Sequence, residues 1–322
     1  MRIEEAHRKA TGLFRKRGWR VFKFQRDAWK AYASGESGLV HAPTGTGKTY
    51  AVWFPPLAEW MTGQRRGKSA TGLQVLWITP LRALVEDTRL SLLELCDELE
   101  VPWTVEARTG DTSGALKARQ RRRLPSCLVT TPESLSLLLS YPDFKESASE
   151  LKAVVVDEWH ELLSTKRGTQ TELCLARLRK WNSSLRTWGL SATLGNLEVA
   201  MSALLGTNAE GTLINGGMKK KFVIETVVPK SLERFPWAGH LGGKLVEEVA
   251  KRIEGAQTSL VFTNVRSQTE YWFNALLLVR PEWEGRIGIH HGSIERKSRR
   301  EIEDRLRTGD IKAVVCTSSL DL

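Results

Sequence analysis

The chain has 322 residues, 41% of them hydrophobic and 26% charged, an ordinary globular composition whose length favours two domains. Forty-eight Lys and Arg against 37 Asp and Glu give a net charge of +11, which suits a polyanionic partner such as nucleic acid and decides nothing alone. Cys96, Cys127, Cys174 and Cys316 have neither metal-ligand spacing nor a disulfide pattern. The charged start, Met1 to Ala10, lacks the apolar core of a secretory signal, and runs such as Ala275 to Val279 are far too short to span a bilayer. A soluble cytoplasmic protein with no membrane partner is the expectation.

In chain order, Leu39 is part of an apolar stub that leads into Ala42-Pro43-Thr44-Gly45-Thr46-Gly47-Lys48-Thr49, and a helix is expected from about Lys48. Gly45 and Gly47 permit backbone that closes around phosphate oxygens, and successive N–H groups at a helix N-terminus favour an anion. Lys48 offsets phosphate charge and the Thr49 hydroxyl suits Mg²⁺. The competing reading, a glycine turn beside a chance Lys-Thr, is disfavoured by the strand-loop-helix context.

Strands are predicted at Val75 to Thr79, Thr104 to Ala107, Cys127 to Thr130, Ala153 to Val156 and Thr187 to Leu190, with helices over Leu81 to Leu99, Leu173 to Trp181 and Leu197 to Leu205. That alternation implies a parallel sheet with helices on both faces. The run Val154-Val155-Val156-Asp157-Glu158-Trp159-His160 sets two carboxylates at the end of a buried strand, the edge where open α/β sheets bind ligands. Asp157 suits Mg²⁺, Glu158 suits polarising an attacking water, and His160 follows directly as a coupling residue. The glycine turn ending at Thr49 is expected to face this carboxylate pair.

Gly206 to Lys221, rich in Gly, Asn and Thr, reads as an interdomain linker. The α/β pattern then restarts, with strands at Phe222 to Val227, Ser259 to Thr263, Arg286 to Ile289 and Lys312 to Cys316, and helices at Lys244 to Ile253, Ser267 to Leu278 and Lys297 to Leu306. The expected division is residues 1–215 and 216–322. Basic clusters lie at Arg65 to Lys68, Arg119 to Arg123 and Arg296 to Arg300. A solvated helix face is the bland explanation of such runs and the default for Arg65 to Lys68, whereas for Arg119 to Arg123 it stands level with a nucleic-acid contact; most of the twelve tryptophans are expected to pack rather than stack on bases.

The order of these blocks resembles superfamily 2 helicases of the DExH group. Thr79 to Leu84 looks like motif Ia, Arg108 to Thr112 like the loop after it, Thr130 to Leu135 like motif Ib, and Ser191-Ala192-Thr193 like the coupling motif III. Val261 to Arg266 looks like motif IV and Val315 to Leu322 like the start of motif V. The strings DEWHEL, RTGDT, HHGS and TSSLDL are similar to Lhr (large helicase-related) proteins, most of all the bacterial ligase-associated repair type.

The resemblance implies two RecA-like domains, the second incomplete, with ATP and Mg²⁺ held by Thr44, Gly45, Thr46, Gly47, Lys48 and Thr49. Gln25 would bond the adenine edge, with Phe14, Trp19, Phe22 or Phe24 against the ring. Arg82, Thr131, Arg266 and Thr317 would touch the sugar-phosphate backbone, which fixes position without reading sequence. It further implies 3′-to-5′ translocation on single-stranded or partly duplex DNA, or a DNA–RNA hybrid, near the nucleoid and alongside a repair ligase or nuclease. The run expected after motif V does not follow Leu322, so weak or no unwinding is expected of this polypeptide. An RNA helicase and a non-unwinding nucleic-acid clamp are the competing functions. A GTPase switch is disfavoured because no Asn-Lys-x-Asp element is present and Gln25 argues for adenine.

Overall fold

The computed structural model describes residues 3–63, 72–207, 209–217, 223–228, 243–318 and 320. The chain divides into two compact units, residues 1–220 and 221–322.

In the first unit, helices α1 (Ile3–Lys16) and α2 (Lys23–Ala33) precede strand β1 (Gly38–His41) and α3 (Lys48–Gly63). There follow β2 (Val75–Ile78), α4 (Arg82–Glu98), β3 (Val105–Arg108), α5 (Gly114–Arg122), β4 (Cys127–Thr130), α6 (Pro132–Leu139) and α7 (Phe144–Ser149). The unit ends with β5 (Ala153–Val156), α8 (Trp159–Leu162), α9 (Lys166–Trp181), β6 (Arg186–Ser191), α10 (Leu197–Leu205) and β7 (Thr212–Asn215). The seven strands form one parallel sheet in the order β3-β4-β2-β5-β6-β1-β7.

Every residue of β2, β4 and β5 is buried, as a sheet covered on both faces requires. Side chains alternate between two cores. Val40, Trp77, Val155 and Leu190 pack with Trp29, Trp53 and Phe54 of α2 and α3, whereas Leu39, Leu76 and Val154 pack with Leu175 and Leu178 of α9 and Leu204 of α10. Trp29, Trp53, Trp77, Trp159 and Trp188 are among the largest fully buried side chains, so these tryptophans build the interior, as their sequence context predicts. All four cysteines are free and buried.

The expected linker is corrected here. Within Gly206 to Lys221 the chain makes β7, which pairs in parallel with β1 from Gly38↔Thr212 to His41↔Asn215. Only Ile214 of this strand is buried, and glycines flank it, so nothing in the local composition marks it as sheet. The strand expected from Phe222 to Val227 is also not found: Phe222 lies outside the described residues, and residues 223–228 carry no strand. The clusters Arg65 to Lys68 and Lys219 to Lys221 lie outside the described residues.

The second unit contains α11 (Val246–Gly255), β8 (Ser259–Phe262), α12 (Arg266–Val279), β9 (Ile287–His290), α13 (Arg296–Thr308) and β10 (Ala313–Cys316). Its parallel strands lie in the order β8-β10-β9, over a core that includes Ala250, Ile253, Leu276, Ile287 and Val315. Among the described residues of the whole chain, no helix is long and apolar enough to cross a membrane.

Gly38 shows why β7 lies so close to β1. A Cβ at this position would collide with the backbone carbonyl oxygen of Thr212, an atom that cannot swing aside. Gly38→Ala is therefore expected to destabilise the first unit by about 1–3 kcal/mol through overpacking. Urea denaturation with the tryptophan signal would register this as a lowered midpoint, and an unchanged midpoint would contradict the described β1–β7 pairing.

Candidate active site

Parallel strands bring their C-terminal ends to one edge, and the order β5-β6-β1 sets one strand, β6, between the acidic pair and the phosphate loop. The loop after β1 is built by its own residues. Gly45 and Gly47 have φ of +72° and +81°, conformations that side chains rarely adopt. The Thr46 hydroxyl donates to the Pro43 carbonyl at 2.6 Å, bracing the turn from within. At Gly47 a Cβ would also come 2.7 Å from Nε2 of Gln25, so a side chain here would displace the Gln25 amide from its place against the loop as well as strain the backbone.

Gln25 sits at the third position of α2. Its Oε1 accepts from the Phe22 N–H at 2.9 Å, capping the helix, and its Nε2 donates to the Gly47 carbonyl at 3.0 Å. The residue expected to read adenine is thus a buried anchor between α2 and the phosphate loop, with one N–H left over. Of the four aromatic candidates for the adenine ring, Phe14 and Phe24 are buried, whereas Trp19 is 44% and Phe22 36% exposed.

Lys48 opens α3 with its side chain buried. Its Nζ has no hydrogen-bond partner and lies 3.9 Å from Oε1 of Glu158. Burial holds its pKa below the usual lysine value, and the charges of Glu158 and Asp157 partly oppose that shift. Glu158 follows β5 in the left-handed region, φ 42° and ψ 50°, at the start of α8. For a residue with a side chain this conformation costs on the order of 1 kcal/mol or more. Its Oε2 also lacks a hydrogen-bond partner. A buried ammonium and a carboxylate therefore face each other across a gap, neither satisfied by the other.

Asp157 is half-buried and more constrained. Its Oδ2 accepts from the Trp77 indole N–H at 3.2 Å, and its Oδ1 from the Glu158 N–H at 2.9 Å. Burial, with the negative charge of Glu158, raises its pKa to about 6 against the pull of these donors and Lys48. His160 turns back from α8: its Nδ1 is 3.2 Å from the Ser191 hydroxyl and 3.4 Å from Oε2 of Glu158. The Ser191 carbonyl accepts from the Ala42 N–H at 3.0 Å, so this one residue touches both the phosphate loop and the acidic segment.

Other expected positions are scattered. Thr49 is half-buried in the first turn of α3; Thr44, Gly45 and Thr193 are exposed. Thr131 is buried, and its hydroxyl donates to Ser134 Oγ at 3.4 Å rather than reaching the surface. Arg82 opens α4, and its side chain lies outside the described residues. Arg266 and Thr317 belong to the second unit, where Arg266 Nη1 donates to Ser293 Oγ at 3.1 Å and the Thr317 N–H to the His290 carbonyl at 3.1 Å. In the basic cluster on α5, Arg119 pairs with Glu106 at 2.7 Å, and Arg121 lies over Tyr141 at 4.2 Å. One site residue carries no sequence signal of its own, Trp77 on Asp157, and His41 lies beside the site at the end of β1. Sheet order places both, and chain order conceals it.

Known proteins resemble this chain in sequence and fold. Residues 22–201 match the DEAD/DEAH box helicase family. The ATP-dependent helicase Lhr-Core protein 2 of Thermococcus barophilus is 34% identical over 92% of this chain and 36% of its own length. The chain thus spans about a third of the length of the curated relatives it matches. The structure of Mycobacterium smegmatis helicase Lhr bound to ssDNA and AMP-PNP is similar with a TM-score of 0.69 and 31% identity, covering 94% of this chain and 40% of that one. The DUF1998 helicase MrfA bound to DNA shares the fold at a TM-score of 0.78 and 23% identity, over 98% of this chain and 44% of its own.

The raised pKa of Asp157 has a stability consequence. Because the folded value, about 6, exceeds the ordinary value of 3.8, the folded state holds this proton more tightly, and stability from this group is lost as pH rises from about 4 to 6. In magnesium-free buffer, Asp157→Asn is expected to be more stable than the parent at pH 7 by about 1 kcal/mol, a figure discounted because the side chain is half-buried. The advantage should vanish below pH 4. Equal denaturation midpoints at pH 7 would contradict the raised pKa of the Asp157 carboxylate.

Proposed function

The chain belongs to the DEAD/DEAH box helicase family, and from that premise we propose that it is the ATP-binding motor segment of an Lhr-type nucleic-acid helicase. The observation that carries this reading is the unsatisfied pair: a buried Lys48 ammonium with no acceptor, 3.9 Å from the Glu158 carboxylate, at the mouth of a glycine loop. A terminal phosphate suits that gap, with its oxygens accepting from Lys48 and from the N–H groups of the loop. Glu158 then orients the water that attacks the phosphate, and His160 holds Glu158 in place from the side of Ser191.

The donor set fits Mg²⁺. The Thr49 hydroxyl and the Asp157 carboxylate are hard oxygen ligands of the kind that hold this ion together with phosphates and water, and Trp77 fixes the carboxylate's orientation. When bound, Mg²⁺ offsets charge on the phosphate oxygens. For adenine, the exposed rings of Trp19 and Phe22 are the stacking surfaces we assign, and the spare N–H of Gln25 is the polar contact.

The nucleic-acid partner is proposed to be single-stranded or partly duplex DNA. Support comes from the DNA-bound Lhr helicase it resembles and from the net charge of +11. Movement in the 3′-to-5′ direction and a role in repair rest on the resemblance of the motif strings alone. Strand competition with matched DNA and RNA oligonucleotides separates the DNA reading from an RNA helicase.

Two variants test the nucleotide site. Lys48→Ala is expected to abolish Mg-ATP binding in calorimetry, and unchanged affinity would remove the site. Glu158→Gln is expected to keep nucleotide affinity while turnover falls by about a hundredfold or more, the usual loss of a positioned base. Strand binding with no turnover in either the parent or Glu158→Gln would instead favour a non-catalytic clamp.

A further inference from the structure

The polar row at the C-terminal edge of the first sheet continues beyond the nucleotide site. In β1, Leu39 belongs to one core and Val40 to the other, so alternation sets His41 on the side of Leu39. In β6, Leu190 shares the core of Val40, so Ser191 projects to the same side as His41, its register partner. In β7, Ile214 shares that core as well, so Asn215, the partner of His41 on its other flank, also projects to this side. Three neighbouring strands thus end in Ser191, His41 and Asn215 on one face.

The row has two defined ends. At one, Ser191 meets His160 at 3.2 Å, and His160 meets Glu158 at 3.4 Å. At the other, Asn215 Oδ1 accepts from the Gly217 N–H at 3.0 Å, and the Gly216 N–H donates to the His41 carbonyl at 2.8 Å. In the middle, Nδ1 of His41 is buried without a hydrogen-bond partner. Burial, then the neighbouring Lys48 and His160, hold the His41 pKa below its ordinary value, which favours the neutral ring, with one nitrogen donating and the other accepting. An unmade bond at a buried nitrogen is unfavourable, and the Ser191 hydroxyl has a single proton for two imidazoles.

We propose that His41 is a positioning residue that couples nucleotide occupancy between Lys48 and Glu158 to β7 and the Gly216–Gly217 turn. A phosphate in the gap draws Lys48 and repels the Glu158 carboxylate toward His160 Nδ1, now 3.4 Å away; as His160 turns to Glu158 it releases the Ser191 hydroxyl, which turns to His41, and the His41 strand end tightens against β7. This rests on the nucleotide-site reading above.

Hydrogen exchange of a peptide spanning residues 210–217, in the full 322-residue chain with and without Mg–AMP-PNP, tests the coupling. In the parent, nucleotide is expected to slow exchange there by about fivefold, the scale of one hydrogen bond. His41→Leu should bind the analogue with affinity within about threefold of the parent and lose the slowing, while His41→Gln, which keeps a hydrogen-bonding side chain, should recover part of it. A purely structural role for His41 would raise exchange equally with and without nucleotide. Nucleotide-dependent slowing retained in both His41 variants overturns the coupling, as does a parent that binds the analogue yet shows no slowing. A parent that binds no analogue, or a Lys48→Ala variant that binds it as well as the parent, overturns the site reading and the coupling with it.

Discussion

The candidate site in the first unit is organised around an ammonium that the protein buries without giving it a hydrogen bond. Lys48 is desolvated at the start of α3, and among the described residues the carboxylates that influence it, Glu158 and Asp157, directly follow a strand two places away. A direct, hydrogen-bonded Lys48–Glu158 pair would stabilise the unliganded fold better than a 3.9 Å separation. Instead Glu158 adopts a left-handed backbone that sets its carboxylate at the rim of the gap, and Asp157 is kept near its neighbour despite the raised pKa this entails. The arrangement leaves an interaction unmade, which accords with the nucleotide site proposed above, where a ligand's negative charge would supply it.

Neighbouring elements make that gap durable. β6 lies between β5 and β1, so Ser191 touches the acidic segment through its hydroxyl and the phosphate loop through its carbonyl. Gln25 ties α2 to the loop from outside, using the space that Gly47 leaves open. Trp77 holds Asp157 with its indole N–H while its ring fills the core beneath. Each of these residues has one part in the interior and one at the site, so packing fixes the positions of the polar groups.

Much of this was legible in the sequence wherever the chemistry needs contiguous residues. A phosphate cradle is made from consecutive backbone N–H groups, so the string from Ala42 to Thr49 carries its own reading. Buried parallel strands are continuous apolar runs, so β2, β4 and β5 could be placed to within a residue. What stayed hidden depends on the order of strands in space. β7 lies in a polar, glycine-flanked segment and is held to β1 by backbone pairing and the absence of a side chain at Gly38. Trp77 reaches Asp157, and His41 comes to lie beside the site, only once β1, β2, β5 and β6 are neighbours. Thr131 and the arginines of α5 look accessible in the sequence, yet the fold buries the first and gives Arg119 and Arg121 local partners.

The central claim is that the space between Lys48 and Glu158 is shaped for the terminal phosphate of a magnesium nucleotide. A crystal structure of this chain with Mg²⁺ and a non-hydrolysable ATP analogue tests it most directly. A terminal phosphate oxygen is expected within hydrogen-bonding distance of Lys48 Nζ, with Thr49 and Asp157 as the residues that would hold the metal. An analogue bound elsewhere on the chain, with Lys48 closed directly onto Glu158 and the glycine loop empty, would contradict it.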